Sequence, residues 1–323
     1  MQDRNHSFFY AATRTFAIAA GNPLCPADQY SSQIQTFEET QSLCGRKVSF
    51  FGIDEECARS CAAQYRHAHI GSEPWWNLAL WQSRQEANKP VRNSLQAARR
   101  QGCEAQEVSP ENTGMLWQCD NVRSRWLQTK HLPPLHFVAE TALCVGGKRL
   151  FVVECAENVL AYSIASPIWS GVNSNPAEYC VEHFVRSPDA PNGTMELLIC
   201  SVAETLAKEG ITRMSLHFAP FSRKAPSGLP LATRSLAMER YLQAMERFGG
   251  HWYNARGLER FKAKFLPDVW KPLYCSFSRE QPPVRVLVAL AEAFFEAQLP
   301  QALWSIALRT MTNKPVASRR KIR

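Results

Sequence analysis

Four basic side chains lie close together in the segment RGLERFKAKFLPDVWKPLYC, which begins at residue 256. Large apolar residues separate them, and the four are Arg256, Arg260, Lys262 and Lys264. If the segment is helical, Arg260 and Lys264 are four residues apart and lie on one face. Such a cluster can bind phosphate groups through charge-assisted hydrogen bonds, although a charge run is more often only a solvated helix face. The segment is therefore the first candidate for binding a phosphorylated or polyanionic partner.

The whole chain is basic as well. Its 323 residues carry a formal net charge of +8 at pH 7, and 45% of them are hydrophobic. A charge of this sign and size is typical of proteins that meet nucleic acid, an anionic membrane or a phosphorylated ligand. A generally basic, solvated surface is the alternative. The length and apolar content suffice for two ordinary domains with their own cores, or for one large domain.

The cysteines and the apolar runs bear on metal binding and location. The 11 cysteines are spread along the chain without a CxxC pair, and a zinc site would need grouped thiols with histidine partners, so we expect no metal. Most lie in apolar patterns, which favours buried thiols in a reducing compartment. The N-terminus does not resemble a signal peptide, and no stretch reaches the ~18 to 20 apolar residues of a membrane span. We expect a cytoplasmic protein without a transmembrane segment, peripheral on the inner face of the cell membrane.

The apolar periodicity predicts an α/β fold with a mixed sheet. In the second half, strands at Arg149–Cys155, Val159–Ile168 and Tyr179–Arg186 precede a helix at Thr194–Glu209. Further strands and helices alternate up to a last strand at Lys271–Ser276, and the first half has a similar order. Helices on both faces of the sheet follow from this order. We predict two related domains in tandem and a C-terminal extension: residues 1–134, residues 135–281, and an amphipathic helix with a basic tail at residues 282–323.

The element order of the second half resembles that of the GNAT acyltransferase fold, which implies two GNAT-like domains in tandem. Enzymes of this fold that use acetyl-CoA hold its pyrophosphate with a glycine-rich loop at a helix N-terminus. The corresponding loop here, RSPDAPNGTMELL, contains a single glycine, Gly193. Transfer from acetyl-CoA is therefore disfavoured.

Longer stretches of the chain resemble the soluble domain of the phosphatidylglycerol lysyltransferases. VRSPDAPNGTMELL and GLERFKAKFLPDVWKPLY are similar to the family's patterns RRxPxAPNGxMDFL and GLRxFKxKFxPxWxPxY. In the first half, GNPLCP, KVSFFGIDEE and NKPVRNSLQAARRQG also look like family segments. The resemblance covers about Ser7 to Ser276, and the APNG loop together with GLxxFKxKF is a specific pair of motifs.

This resemblance implies an enzyme that moves an aminoacyl group, lysine by family default, from aminoacyl-tRNA to a hydroxyl of phosphatidylglycerol. The expected partners are aminoacyl-tRNA and an anionic phospholipid. No cofactor is expected, because the aminoacyl-tRNA ester is already activated. The transfer needs a positioned acceptor, a group that takes the acceptor's proton, and stabilisation of the tetrahedral oxyanion.

The resemblance also implies which residues carry the reaction. Glu182 matches the acid of the family's strand, and we expect it to bind the α-ammonium of the aminoacyl group or to take a proton. On a regular strand Glu182 and Phe184 share one face and His183 the other. The expected catalytic set is Glu182, Arg260 and Lys262, and the expected substrate-binding residues are Arg186, Asn192, Gly193, Glu196, His217, Arg256 and Lys264.

Several of these residues also have ordinary structural explanations. Asn192 precedes a helix, where it can be a simple N-cap, and Glu196 in the first turn favours the helix dipole. The basic helix within NKPVRNSLQAARRQG suits contacts with the tRNA backbone. The expected tRNA-binding residues on it are Arg92, Arg99 and Arg100.

His217 departs from the family pattern, which has a glycine at that position of the strand. An imidazole there can supply a new base, reshape the acceptor pocket, or only pack. The departure favours a soluble small-molecule acceptor, whereas the amphipathic helix and basic tail at residues 282–323 favour a lipid. A non-catalytic protein that binds tRNA or a membrane is a further alternative.

Overall fold

A computed structural model describes residues 8–139, 141, 143, 146–169, 175–250, 253–298, 300, 301, 303, 304 and 306. Within these residues the strands are β1 (Phe9–Ala12), β2 (Phe16–Ala20), β3 (Lys47–Ile53), β4 (Tyr65–Asn77), β5 (Cys103–Val108), β6 (Arg149–Cys155), β7 (Asn158–Ile168), β8 (Glu178–Arg186), β9 (Arg213–Ser215), β10 (Ala219–Pro220) and β11 (Val269–Ser278). The α-helices are α1 (Tyr30–Leu43), α2 (Glu55–Ser60), α3 (Trp81–Ala87), α4 (Lys89–Arg100), α5 (Thr113–Gln128), α6 (Thr194–Lys208), α7 (Leu236–Gly249), α8 (Ala255–Ala263) and α9 (Pro283–Phe295).

All of these strands join one mixed sheet. Its order is β1-β2-β3-β11-β4-β9-β8-β7-β6-β5, with β10 paired to β4 beside this path. The pairs β2–β3 and β8–β9 are parallel, and the other pairs are antiparallel. The mixed α/β class predicted from the sequence is confirmed.

The last strand, β11, lies in the middle of the sheet instead of at an edge. It is antiparallel to both β3 and β4, and its Lys271 is opposite Glu73. In the other direction, β5 of the first half pairs with β6 at the far edge of the sheet. Strand pairing therefore crosses the boundary predicted at residue 134, and the tandem division of the chain stays a prediction.

Two helical layers cover the faces of the sheet in the second half. Leu198 of α6 packs with Phe151 and Val181 on one face. Val122 of α5 packs with Ile164 on the opposite face. The sheet is thus the middle layer, as the alternation of strands and helices predicted.

Strand β4 is longer than its local apolar pattern indicates. It runs from Tyr65 to Asn77 and pairs with both β11 and β9. Helix α2, which Asp54 caps, ends at Ser60. Pairing with distant strands, which local pattern does not encode, extends β4 at each end.

Helix α9 buries its apolar side in the protein. Val286, Ala289, Leu290 and Ala293 are buried and pack in the core that also contains Ile18 of β2. This apolar side is therefore covered by the protein itself, and the helix does not favour a lipid acceptor as its sequence suggested. The basic tail at residues 314–323 lies outside the described residues.

Among the described residues, no helix combines the length and apolarity that crossing a bilayer requires.

Helices α4 and α6 meet at a glycine. Gly193 is the N-cap of α6, with φ of +93° and without a side-chain cap, so Asn192 is not the cap that the sequence suggested. A Cβ atom on Gly193 would lie 1.9 Å from the backbone oxygen of Ser94 in α4. The glycine therefore permits both the left-handed backbone and the close helix contact.

Replacing Gly193 with alanine should destabilise the protein more than the same change at Gly210. Both glycines have positive φ, +93° and +81°, but nothing lies within 4 Å of a Cβ at Gly210. Gly210→Ala should therefore cost only the left-handed strain of about 1 to 2 kcal/mol. Gly193→Ala should cost about 1 to 3 kcal/mol more because of the overlap with α4. Urea unfolding of the two variants measures the difference, and equal losses would contradict the tight α4–α6 contact.

Candidate active site

The candidate site lies where β8 and β9 diverge. These parallel strands pair only between Glu178–Cys180 and Arg213–Ser215. Beyond Ser215 the chain leaves the ladder, whereas β8 continues to Arg186. Side chains and main-chain groups of both strands therefore face a gap in the sheet.

A bulge in β8 separates two side chains that a regular strand would place together. His183 has φ of +58°, and the register with β7 shifts at this point. Glu182 lies opposite Ile164 on the face that α5 covers, whereas Phe184 packs with the core under α6. The expectation that Glu182 and Phe184 share a face is wrong, because a bulge inserts one residue and reverses the alternation.

Lys262 of α8 fills the gap between the two strands. It is 2% exposed, and its Nζ donates hydrogen bonds to the carbonyl oxygens of His217 (2.9 Å) and Phe218 (2.7 Å). The same Nζ lies 5.7 Å from the ring centroid of Phe184 on β8. Lys262 thus bridges the diverging chains and satisfies two main-chain carbonyls that have left the ladder.

Burial lowers the pKa of Lys262 to about 7, although Cys180 and Glu73 favour its charged form. At neutral pH the side chain can therefore exchange a proton readily. The thiol of Cys180 differs, because burial and the carboxylates of Glu73 and Glu182 raise its pKa well above the usual value. Cys180 is thus a neutral thiol and not a nucleophilic thiolate.

Glu182 lies in this cluster, as the sequence predicted. Its Oε1 accepts hydrogen bonds from Ser166 Oγ (2.6 Å) and Lys148 Nζ (2.9 Å). Burial alone would raise the pKa of Glu182, but the hydrogen bonds from Ser166 and Lys148 and the charge of Lys148 outweigh it and lower the pKa. Glu182 is therefore an ionised carboxylate that already has a cationic partner.

Glu73 is a second carboxylate of the cluster, and the sequence analysis missed it. Its Oε1 accepts from Ser215 Oγ (2.6 Å) and its Oε2 from Trp75 Nε1 (3.1 Å). The only sequence signal is a charged residue inside the apolar run IGSEPWW. Glu73 reaches the site because β4 extends as far as its pairing with β9.

His217 brings an imidazole between these charges. Burial and the positive charge of Lys262 lower its pKa, whereas Glu73 and Glu182 act in the opposite direction. The ring is therefore neutral at pH 7, and it makes no hydrogen bond to another residue that the structure describes. Its backbone has φ of +60°, a strained conformation for a non-glycine residue, and its N–H donates to Ser215 Oγ (2.9 Å).

Lys264 and Glu196 bind each other at the junction of three helices. Lys264 Nζ lies 2.7 Å from Glu196 Oε1 in α6 and donates to Ser94 Oγ (2.8 Å) in α4. These two expected substrate-binding residues are therefore paired with one another in this structure. The pair ties the end of α8 to the α4–α6 contact.

The other expected substrate-binding positions lie at the surface or in a helix contact. Arg256 donates to Glu246 Oε1 (3.0 Å), and Arg260 donates to the carbonyl oxygen of Arg256 (3.2 Å). Arg186, Asn192, Arg256 and Arg260 are exposed, while Gly193 is buried against α4. The structure thus brings Glu182, Lys262 and His217 together and leaves both arginines of α8 outside their cluster.

The basic helix α4 lies apart from this cluster. Arg92, Arg99 and Arg100 are exposed on it, and Arg92 and Arg99 are seven residues apart, so they share a face. An open groove of 510 Å³ runs from Arg99 past β5 to Glu204 of α6. The groove is large, but it contains none of the cluster residues.

The described residues contain no group of three or more His, Cys, Asp or Glu side chains that could hold a metal ion.

Comparisons of the sequence identify a protein family. Residues 2–277 match the family model described as "Phosphatidylglycerol lysyltransferase, C-terminal". The chain is 36% identical over 111 residues to the lysylphosphatidylglycerol biosynthesis bifunctional protein LysX of Mycobacterium avium, covering 34% of this chain and 9% of that protein. The LysX protein of Nocardia farcinica gives 36% over 111 residues, covering 34% and 10%. The match thus spans about a tenth of the length of these relatives.

Solved structures support the same fold. A C-terminal DUF2156 domain from Agrobacterium fabrum superposes with a TM-score of 0.72 at 21% identity, covering 89% of this chain and 85% of that one. L-PGS from Bacillus licheniformis gives 0.68 at 18% identity, covering 88% and 84%. At such identities the likeness concerns the fold alone.

The buried Lys262 should make stability depend on pH in a defined direction. Its pKa is about 7 in the folded protein and 10.5 ordinarily, so between these values the unfolded chain binds the extra proton. The free energy of unfolding of the wild type should therefore rise with pH relative to Lys262→Met, by up to about 1 kcal/mol per pH unit. Below pH 7 the difference should be constant, since the lysine is then charged in both states.

Urea unfolding of both proteins at several pH values between 6 and 10 measures this difference. Comparing the two proteins cancels the titration of all other groups. Parallel curves over the whole range would contradict a lysine whose charge is destabilised by burial.

Proposed function

The chain belongs to the phosphatidylglycerol lysyltransferase C-terminal family, and we propose that it transfers an aminoacyl group from aminoacyl-tRNA to a hydroxyl of phosphatidylglycerol. Lysine is the amino acid in the names of the relatives, so it is the first aminoacyl group to test. Since the tRNA and the lipid meet at the inner membrane surface, we place the reaction at the cytoplasmic face of the membrane.

The observation that carries this proposal is the polar cluster at the divergence of β8 and β9. It combines two carboxylates, Glu73 and Glu182, with the neutral imidazole of His217 and the buried ammonium of Lys262. Transfer of an activated acyl group needs a base and fixed charges more than it needs a cofactor. The cluster supplies both kinds of group within a gap of the sheet.

In the proposed mechanism, the acceptor hydroxyl oxygen attacks the carbonyl carbon of the aminoacyl ester. Its proton passes to the imidazole of His217, which is neutral because burial and Lys262 lower its pKa. The tetrahedral intermediate collapses when the bond to the ribose oxygen breaks, and the imidazolium returns the proton to that oxygen. Glu73 holds the α-ammonium of the aminoacyl group. One ester is exchanged for another, so no electrons are transferred, and the proposal uses no cofactor and no metal.

A soluble hydroxyl or amine is the second candidate acceptor. The observation that favours it is His217, which occupies a position where the family pattern has glycine, beside the gap where the acceptor would enter. The aminoacyl donor and the chemistry are the same in both cases. The fate of the label in the experiment proposed next distinguishes the two acceptors.

The direct test follows radiolabelled amino acids from a panel of aminoacyl-tRNAs into phosphatidylglycerol vesicles. We expect label from a charged tRNA in the lipid phase, and loss of about 100-fold in this rate for His217→Gly, the usual contribution of a general base. The glycine variant relieves the positive φ of His217, so its fold should be retained.

Three outcomes of this assay carry different meanings. Label lost from tRNA but absent from lipid supports a soluble acceptor. Full activity of His217→Gly contradicts the imidazole as the base. Label that stays on every tRNA, beside an active control enzyme, contradicts the proposed function.

Helix α4 should contribute to tRNA binding. Replacing Arg92, Arg99 and Arg100 with alanine should weaken binding and reduce the slope of log K against log salt by about 2 to 3, since up to three phosphate contacts are lost. The matched control removes three exposed cations of strands away from α4: Arg14 between β1 and β2, Lys47 on β3 and Arg66 on β4. Equal effects of the two triple variants would show a general charge effect and contradict a tRNA site on α4.

A further inference from the structure

One of the two carboxylates in the cluster is occupied by a cation of the protein itself. Lys148 Nζ lies 2.9 Å from Glu182 Oε1, and the two side chains are 33% and 20% exposed. Ser166 donates to the same oxygen. In this partly buried position the ion pair is well formed. The charge of Lys148 balances that of Glu182, so Glu182 attracts a substrate cation only weakly.

Glu73 is in a different state. Its hydrogen-bond donors, Ser215 and Trp75, are neutral, and it forms no ion pair with another residue that the structure describes. Lys271 is opposite Glu73 in the register of β11, but its Nζ lies over the ring of Trp75, 4.4 Å from the centroid. Glu73 is therefore a carboxylate that can receive one cationic group of a substrate.

The remaining charges around the gap are mainly positive. Lys148 is paired with Glu182, Lys262 donates to the carbonyl oxygens of His217 and Phe218, and Lys271 is opposite Glu73 in the strand register. The next acid along β8, Glu178, is paired with Arg213 at 2.9 Å. Once a first cation of the substrate occupies Glu73, a second one would find the other two carboxylates, Glu182 and Glu178, already paired. Bringing an unpaired charge into this partly buried place among like charges is unfavourable.

Aminoacyl esters differ in the number of positively charged groups that they carry. Every ester carries an α-amino group, whose pKa of about 8 in peptides makes its proton easy to lose or to share with Glu73. A lysyl ester also carries a side-chain ammonium with a pKa of about 10.4, which stays charged at neutral pH. The site thus matches one weakly basic amine and does not match a second, permanent cation.

We propose, resting on the proposed function, that this chain selects aminoacyl groups with uncharged side chains, and that Lys148 excludes cationic ones by occupying Glu182. Lys148 acts through Glu182 and is in this sense a specificity-determining residue. The lysine in the names of the relatives is then not the amino acid that this chain prefers.

The test keeps the tRNA constant and changes only the amino acid. One tRNA is charged with lysine, with norleucine, which has the same chain length without the charge, or with alanine. Transfer to phosphatidylglycerol vesicles is measured as kcat/KM for each. The wild type should prefer norleucine to lysine by about tenfold or more, the effect of one lost charge-assisted hydrogen bond.

The variant Lys148→Met should change this preference. With Glu182 released from its ion pair, the ratio of lysyl to norleucyl transfer should rise by about tenfold. A purely structural loss would lower both rates together and leave their ratio unchanged. The matched control is Arg213→Met, which also removes one cation from an ion pair with β8. It frees Glu178 in the part of β8 that is still paired with β9, before the strands diverge, and should leave the ratio as in the wild type.

Each outcome is decisive. A wild type that transfers lysine as well as norleucine overturns the inference, while the proposed function stands. An unchanged ratio in Lys148→Met, or an equal change in Arg213→Met, overturns the role of Lys148. Absence of transfer from all three charged tRNAs overturns the proposed function, and the inference that rests on it falls with it.

Discussion

One buried side chain, Lys262, holds the rest of the site in place. Its ammonium group donates hydrogen bonds to the carbonyl oxygens of His217 and Phe218. Where two parallel strands diverge, main-chain carbonyls lose their ladder partners, and a buried carbonyl without a donor is costly. Lys262 supplies the donor, but its own burial is costly in turn. The two carbonyl oxygens, with smaller contributions from the nearby Cys180 and Glu73, offset part of that cost. The gap and the buried lysine therefore depend on each other.

The position of β11 explains how Lys262 reaches the gap. Helix α8 leads directly into β11, whose pairing between β3 and β4 fixes the end of the helix. Trp76 Nε1 donates to the carbonyl oxygen of Phe265 (2.8 Å) just beyond α8. Arg84 and Asp268 form an ion pair in the same connection. The insertion of the last strand into the first half of the sheet therefore positions a helix of the second half over the site.

Three residues of the candidate cluster could be selected from local sequence motifs, and their roles stay predictions. The motif GLERFKAKF pointed to Lys262, the family's strand to Glu182, and the departure from glycine to His217. Glu73 was not predictable, because it reaches the site only through the pairing of β4 with β9, and sequence periodicity does not specify which strands pair. The pairing of Lys264 with Glu196 was not predictable either, because it depends on the packing of α8 against α6, which the local sequence does not specify.

The charges in the gap determine which substrate groups can bind there. His217 is a neutral imidazole, Glu182 is paired with Lys148, and Glu73 is the carboxylate without an ion pair among the described residues. The most direct test is a crystal structure with a non-hydrolysable 3′-aminoacylamino-adenosine, which represents the charged end of tRNA. The account predicts the amino acid in the gap between β8 and β9, with its α-nitrogen within hydrogen-bond distance, about 3 Å, of a carboxylate oxygen of Glu73. Binding in the groove between Arg99 and Glu204, with the gap unchanged, would contradict it.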